Sequence, residues 1–263
     1  MQPLEYSRAS ESWAGSIFNI VDQSGQELVS IPIEFATQAR CNTIGFALSL
    51  VAFCFREDGF LRDESGQQLP VKDPMPQGTA IFVRQDGTTQ PCTPAKGPRF
   101  KYKHRPPEEN SESGTMSNSS RSSGLQNDFR VSLIARDFCC LLSGLHYSNC
   151  TASHILPLSR PEYYSEVLGG NVRYLFKPEH GLLLRSDLHH SFDRGEWAFH
   201  PDGENLVVHV FKNETAAREH HGLILTPDRF RGEARTHPHR DLLKFHYQQC
   251  AIQRFRGYSS GFD

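Results

Sequence analysis

Hydrophobic and polar positions alternate in two short N-terminal segments that a polar turn separates. Alternation of this kind predicts half-buried strands, so the two segments predict a β-hairpin. A long apolar stretch with helical spacing follows, and then two more short apolar segments. The order predicts a small N-terminal α+β domain over residues 1–93 with a β-grasp-like arrangement. The predicted elements are strands at 17–21, 28–33, 59–61 and 79–84 and a helix at 35–55.

Composition changes sharply after residue 93. Residues 94–126 contain several prolines and then a Ser/Asn/Gly-rich stretch, and apolar residues are almost absent after Tyr102. Such a segment cannot bury enough surface to offset its chain entropy, so it is predicted to be a disordered linker. Its basic start, residues 96–105, has two readings that both stay open. It is either a solvated run of charge or a segment that contacts a nucleic-acid backbone or directs localisation.

The C-terminal part, residues 127–263, carries the candidate chemistry. Asp128 is placed to cap a helix, and the later pattern predicts a further hairpin and a last helix. Between them, His154 leads into a short apolar run and His180 precedes another at 182–185. Ser186 or Asp187 then predicts a helix start. On that helix, the imidazole of His189 and the carboxylate of Asp193 are four residues apart, a spacing at which both can grip one divalent metal ion.

Three phrases of this part resemble the HNH, or ββα-metal, nuclease family, and in particular its "RD..C..TG", "AHI.P" and "NGLLL…LH..FD" branch in fungi and bacteria. The phrases are residues 136–144, 153–157 and 179–193. The resemblance implies an α+β chain whose C-terminal domain is an HNH nuclease with an added hairpin and helices.

The resemblance also implies roles for individual residues. His154 takes the position of the general base, and His180 the catalytic position that orients it. His189 and Asp193 take the positions of metal ligands. The sequence departs from the family at two places, because His180 stands where the family usually has Asn, and Ser153 stands where many relatives have a further ligand. Whether His180 orients the loop or becomes a third ligand stays open.

The implied reaction is hydrolysis of a phosphodiester bond in nucleic acid, with DNA as the expected substrate. A mixed nitrogen and oxygen site suits Mg²⁺, Mn²⁺, Ni²⁺ or Zn²⁺. Arg173, Arg185 and Arg194 are candidate contacts to substrate phosphate. Two hypotheses from another class stay open. The HNH fold can serve as a nucleic-acid-binding or protein-binding module without catalysis, and the N-terminal domain can act as an adaptor that binds a protein partner.

The cysteines and the overall composition argue against other kinds of site and indicate where the protein is located. Cys139, Cys140 and Cys150 lack the paired short spacing of a structural zinc site, and a Cys150–His154 nucleophile lacks any sign of an oxyanion hole. The 263-residue chain has a formal net charge of −2 and no continuous apolar run of membrane-spanning length. The sequence shows no secretory leader and no even cysteine framework, so we expect an intracellular protein of the cytoplasm or nucleus.

Overall fold

The computed structural model describes residues 3–99 and 116–261, with the backbone alone for residues 116–123. The N-terminal part contains α1 (Ala9–Ser12), β1 (Ile17–Asp22), β2 (Glu27–Pro32), α2 (Ile33–Gln38), α3 (Ile44–Cys54), β3 (Gly59–Arg62) and β4 (Gly78–Arg84). It is followed by α4 (Met116–Asp137), β5 (Cys150–His154), α5 (Pro161–Leu168), β6 (Gly181–Arg185), α6 (Ser186–Asp193), β7 (Trp197–Asp202), β8 (Asn205–Val210), β9 (Ile224–Leu225) and α7 (Arg240–Ala251). A π-helical segment, Ile252–Arg256, follows α7. Short 3₁₀ turns lie at Tyr147–Asn149, Pro178–His180, Arg218–His220, Pro227–Arg229 and Ala234–Thr236.

The chain divides into two compact units that interleave along the sequence. Unit 1 comprises Met1–Arg99, Ser191–Ile224 and His246–Asp263. Unit 2 comprises Phe100–His190 and Leu225–Phe245. These units do not follow the predicted boundaries at residues 93 and 127. Independent folding of 1–93 and 127–263 as separate domains therefore stays a prediction.

Unit 1 contains a four-stranded sheet in the order β2-β1-β4-β3. Strand β1 pairs antiparallel with β2 and parallel with β4. The predicted strands are confirmed, and in β1 every second residue is buried, as the alternation requires. The prediction of a single helix over 35–55 is wrong, because a non-helical segment separates α2 from α3. Arg40 has a positive φ of 58° there, and the Thr43 side chain then caps α3 by accepting from the Phe46 amide.

The hydrophobic core of unit 1 joins distant parts of the sequence. Residues of the sheet and of α3 pack in one buried cluster with residues from β7, from the segment after β8, and from α7 and its π-helical end. The hairpin of β7 and β8, which the sequence assigned to the nuclease part, belongs to unit 1, and Ala198 of β7 lies in the core of that unit. These C-terminal contributors are Ala198, Phe211, Tyr247, Cys250, Ala251, Ile252 and Phe255.

Unit 2 is built on the antiparallel pair of β5 and β6. The register places Cys150 opposite Arg185 and His154 opposite Gly181. Helix α4 packs against both strands, and α6 begins at the residue that follows β6. The order of strand, turn, strand and helix that the sequence predicted is confirmed.

The predicted linker, residues 94–126, is only partly within the described chain. Residues 100–115 lie outside it, and so does most of the basic stretch at 96–105. Helix α4 begins at Met116, upstream of the start predicted at Asp128. Serine and asparagine dominate residues 116–127 and are poor helix formers, which is why the sequence pattern did not predict this extension. Within the described residues, no helix has the length and hydropathy of a membrane span.

Candidate functional site

His154 is the last residue of β5 and its ring is held between two aromatic side chains. The ring stacks on Phe129 of α4, with centroids 4.3 Å apart and an interplanar angle of 21°. Phe176 meets it edge-on, with centroids 5.4 Å apart. The imidazole is half-buried. Packing on two sides restricts its rotamers, so the position of its nitrogens is set by unit 2 itself.

Gly181, the register partner of His154, makes this packing geometrically feasible. A Cβ at position 181 would lie 2.2 Å from Cζ of Phe129, far inside van der Waals contact. The Phe129 ring therefore occupies the space that any larger residue at 181 would need. Glycine at position 181 is therefore required by the packing of Phe129, in addition to the turn that the sequence suggested.

His180 lies in the 3₁₀ turn before β6 and is buried, with 1% of its surface exposed. Its Nδ1 is 3.2 Å from the carbonyl oxygen of Leu175, and its ring lies 5.1 Å from that of Tyr164. Its own carbonyl accepts a hydrogen bond from the amide of Ile155. Burial lowers the pKa of the ring, which favours the neutral form. Because a carbonyl only accepts, Nδ1–H donates to the Leu175 carbonyl. This hydrogen bond fixes the connection between β5 and β6.

His189 projects from α6 toward β5. Its Nδ1 is 3.0 Å from the Oγ1 of Thr151. The ring borders a cavity of about 400 Å³. The cavity is lined by Gln126, Arg130, Thr151, Ala152, Ser186, His189 and His190. The lining includes one guanidinium group, two imidazoles and two hydroxyl-bearing side chains.

His190 and Asp193 are both exposed residues of α6. The His190 ring lies parallel to that of His189, with centroids 5.7 Å apart. Asp193 ends the helix one turn after His189. Among the described residues, no group of three or more His, Cys, Asp or Glu side chains is arranged to hold a metal ion. His189 and Asp193 offer one nitrogen donor and one carboxylate donor, one turn apart on α6.

The three arginines predicted to contact phosphate have different surroundings. Arg173 is exposed. Arg185 forms a bidentate pair with Asp187, at 2.6 and 2.9 Å. Arg194 forms one with Glu196, at 2.8 and 2.9 Å. Their guanidinium groups are therefore already paired with carboxylates in this structure.

Arg130 is a cavity residue that the sequence reasoning missed. One of its amino groups donates to the Tyr147 carbonyl at 2.9 Å and the other donates to the Cys150 carbonyl. These two bonds fix the guanidinium beside the start of β5. The signal available in the sequence was weak, because Arg130 lies in a helical stretch where arginine is common.

A buried ion pair behind β6 was also missed. Arg136 and Asp137 form two hydrogen bonds of 2.6 and 2.7 Å, with 2% and 0% of their surfaces exposed. Asp137 also accepts from the amide of Leu183 at 3.0 Å. Arg136 donates to the carbonyls of Pro178, Gly181 and Thr236. In the sequence, Arg136 and Asp137 were recognised only as part of a family pattern. The structure shows that their hydrogen bonds fix the start of β6.

The cysteine alternatives find no support in the geometry. Burial raises the pKa of the Cys150 thiol to about 11, so it is protonated at neutral pH and is a poor nucleophile. Its Sγ donates to the carbonyls of Leu145 and His146. The Sγ of Cys140 accepts from the amides of Arg185 and Ser143. Both sulfurs therefore have local structural contacts.

Comparison with protein families identifies one similarity. Residues 140–200 match a family model described as HNH endonuclease. No curated protein and no solved structure matches the chain. The matched segment is less than half of the chain, and it includes β5, β6, α6 and the four candidate residues His154, His180, His189 and Asp193. It supports the HNH family for this segment and indicates a nuclease-type function.

Proposed function

We propose that the protein is a metal-dependent endonuclease that hydrolyses phosphodiester bonds in nucleic acid, with DNA as its substrate. One observation carries the proposal. Within the segment similar to HNH endonucleases, β5 ends at His154, the chain returns through His180 and Gly181 into β6, and α6 then presents His189. This order of strand, turn and helix supports assigning the family's three functional positions to His154, His180 and His189.

His154 is the proposed general base. A neutral imidazole accepts a proton from the attacking water, and such assistance typically contributes about 10²–10⁴-fold to a rate. Phe129 and Phe176 hold the ring, so little reorientation is needed when substrate arrives. His180 is proposed to position the connection that follows β5. Its hydrogen bond to Leu175 supports this role and leaves the proton transfer to His154.

His189 and Asp193 are the proposed metal ligands. They lie one turn apart on α6 and offer one nitrogen and one carboxylate, a donor set suited to Mg²⁺, Mn²⁺, Ni²⁺ or Zn²⁺. When bound, the cation supplies charge stabilisation at the scissile phosphate. His189 is oriented for this role by its contact with Thr151.

Arginines are proposed to hold the substrate phosphates. Arg130 borders the cavity beside His189 and is the candidate best placed to meet a phosphate there. Arg173 is exposed and available to a flanking phosphate. Arg185 and Arg194 contribute only if a phosphate displaces their present carboxylate partners. The linker's basic stretch at 96–105 is a further candidate contact from sequence.

The sheet of unit 1 leads to a proposal about the N-terminal region. Its order, with β1 parallel to β4 and antiparallel to β2, is compatible with a β-grasp-like arrangement. We propose that this region acts as an adaptor that binds a protein partner. Deletion of it is expected to leave cleavage of free DNA unaffected only if residues 127–263 fold independently.

A binding module without catalysis is the second candidate. Two observations favour it. The described residues contain no cluster of three metal-ligating side chains, and Ser153, at a family ligand position, is fully buried with its Oγ directed to the His154 carbonyl. Such a module would bind nucleic acid without hydrolysing it.

A plasmid-nicking assay over a panel of divalent cations separates the two candidates. The endonuclease proposal expects conversion of supercoiled to open-circular DNA that requires one of the cations and is abolished by chelation. His189→Ala should remove cleavage at fixed metal concentration. Retarded migration of DNA without any cleavage, for the wild-type protein and for every cation, would establish the binding module instead.

A further inference from the structure

Thr151 of β5 connects the second strand of the ββα motif, β6, to the helix of the motif, α6, through two hydrogen bonds. Thr151 faces Leu184 across the β5–β6 pair, and its Oγ1 is 3.3 Å from the Leu184 carbonyl oxygen. The same Oγ1 is 3.0 Å from Nδ1 of His189. A single hydroxyl therefore contacts both a strand carbonyl and a helix imidazole.

The chemistry of the two partners limits the directions in which both bonds can form together. The Leu184 carbonyl has no proton and only accepts, whereas an imidazole nitrogen either donates or accepts. The Thr151 hydroxyl has one proton to donate. Both contacts are satisfied together when the hydroxyl donates to Leu184 and His189 donates its Nδ1–H to the hydroxyl oxygen. In that arrangement the remaining ring nitrogen, Nε2, carries the lone pair.

We infer that Thr151 is a positioning residue that holds His189 in the Nδ1–H tautomer and so presents Nε2 as the ligand atom for the cation. The inference rests on the proposed function for the role of His189. A histidine ligand typically donates its second ring N–H to a neighbouring oxygen, which fixes both the tautomer and the ring plane. Here the neighbouring oxygen comes from β5, so the β-sheet itself orients the helix ligand.

The tautomer is measured in the metal-free protein by ¹⁵N NMR of ring-labelled histidine at about pH 8, where a free imidazole is neutral. The His189 signals are assigned as those lost in His189→Ala. Protonated and unprotonated ring nitrogens differ widely in chemical shift. The inference expects a protonated Nδ1 in the wild type and in Thr151→Ser, which keeps the hydroxyl. In Thr151→Val, which keeps the β-branched shape, the two tautomers should mix.

Zn²⁺ calorimetry supplies the second readout, with His189→Ala defining binding at other sites. Thr151→Val should weaken the His189-dependent affinity by about 10–100-fold, the usual loss when the partner of a ligand is removed. Thr151→Ser should stay close to wild type. Circular dichroism confirms that each variant folds.

The outcomes separate this inference from the proposed function. A wild-type protein with the Nε2–H tautomer overturns the inference even if the protein cleaves DNA. Zn²⁺ affinity that is equal in wild type and Thr151→Val overturns it while leaving the metal site intact. Absence of any His189-dependent Zn²⁺ binding in the wild type overturns the metal site, and the role of Thr151 with it.

Discussion

Asp137→Asn is expected to destabilise unit 2 by about 3–5 kcal/mol, the usual cost of removing one partner from a buried ion pair. Arg136 is 2% exposed and Asp137 is fully buried, so neither charge has access to bulk solvent. The asparagine still offers an oxygen to the Leu183 amide, but it cannot neutralise the guanidinium. The loss is therefore dominated by an uncompensated buried charge.

A matched control is available on the surface of the same unit. Arg235 and Glu233 are 2.7 Å apart, with side chains 80% and 70% exposed. Like Asp137→Asn, Glu233→Gln replaces the carboxylate of an arginine–carboxylate pair with a neutral amide. An exposed pair contributes about 0–1 kcal/mol, so this variant should be nearly neutral.

The double variant Arg136→Met/Asp137→Leu refines the test. Apolar replacement of a whole buried pair is often neutral. Here Arg136 also donates to three carbonyls, two of which flank the turn before β6. Those acceptors would lose their donor, at a cost of about 1–3 kcal/mol for each group left unsatisfied. Over three carbonyls and the Leu183 amide, which also loses its acceptor, this cost is comparable to or larger than the loss in Asp137→Asn, so the double variant should recover little or none of the lost stability.

Urea unfolding followed by far-UV circular dichroism measures these free energies. Native-state hydrogen exchange of the Leu183 amide adds a local readout, because Asp137 accepts from that amide. A free energy of unfolding for Asp137→Asn that matches the value for Glu233→Gln would refute the reasoning. So would full recovery in the double variant.

Three further predictions concern the histidines. His189→Ala should remove metal-dependent nicking and weaken calorimetric metal binding, whereas His190→Ala should do neither, because only His189 takes the family's ligand position although both rings line the same cavity. Substantial nicking by His180→Asn is expected, since it restores the family residue, and activity as low as that of His154→Ala would show that His180 has a metal-ligand or acid-base role. Burial lowers the pKa of His200 to about 4, so its neutral form stabilises the fold above pH 6.5 and that contribution, about 3 kcal/mol at most, is lost as pH falls toward 4. His200→Phe should reduce the dependence of unfolding free energy on pH across this window without removing it, because burial also lowers the pKa of His221 and of His246 to about 4. An unchanged slope would argue against the contribution of His200.

The local parts of the site could be predicted from the sequence. His154, His180 and His189 lie on the strand, turn and helix that apolar runs and capping residues indicated. Short-range signals suffice there, because the ββα motif forms from neighbouring elements. The break at Arg40 was missed, because the apolar pattern of 35–55 continues through it.

Long-range packing could not be predicted. His221 lies in a polar stretch of the sequence, yet its Nδ1 accepts from the Val210 amide and its Nε2 donates to the Phe35 carbonyl. The polar stretch gives no sign of the second contact, because Phe35 is far away in the sequence. Arg136 and Asp137 are neighbours in the sequence, but their burial depends on residues near 180 and 236. A single sequence carries no signal for such pairings.

His154→Ala, assayed for plasmid nicking and for DNA binding in parallel, tests the central claim most directly. In the proposed mechanism the general base contacts only the attacking water, whereas the metal ligands and arginines hold the phosphate. The account predicts a loss of cleavage of about 10²–10⁴-fold with the affinity for DNA and for the cation nearly unchanged. Cleavage by His154→Ala at the wild-type rate would contradict the account.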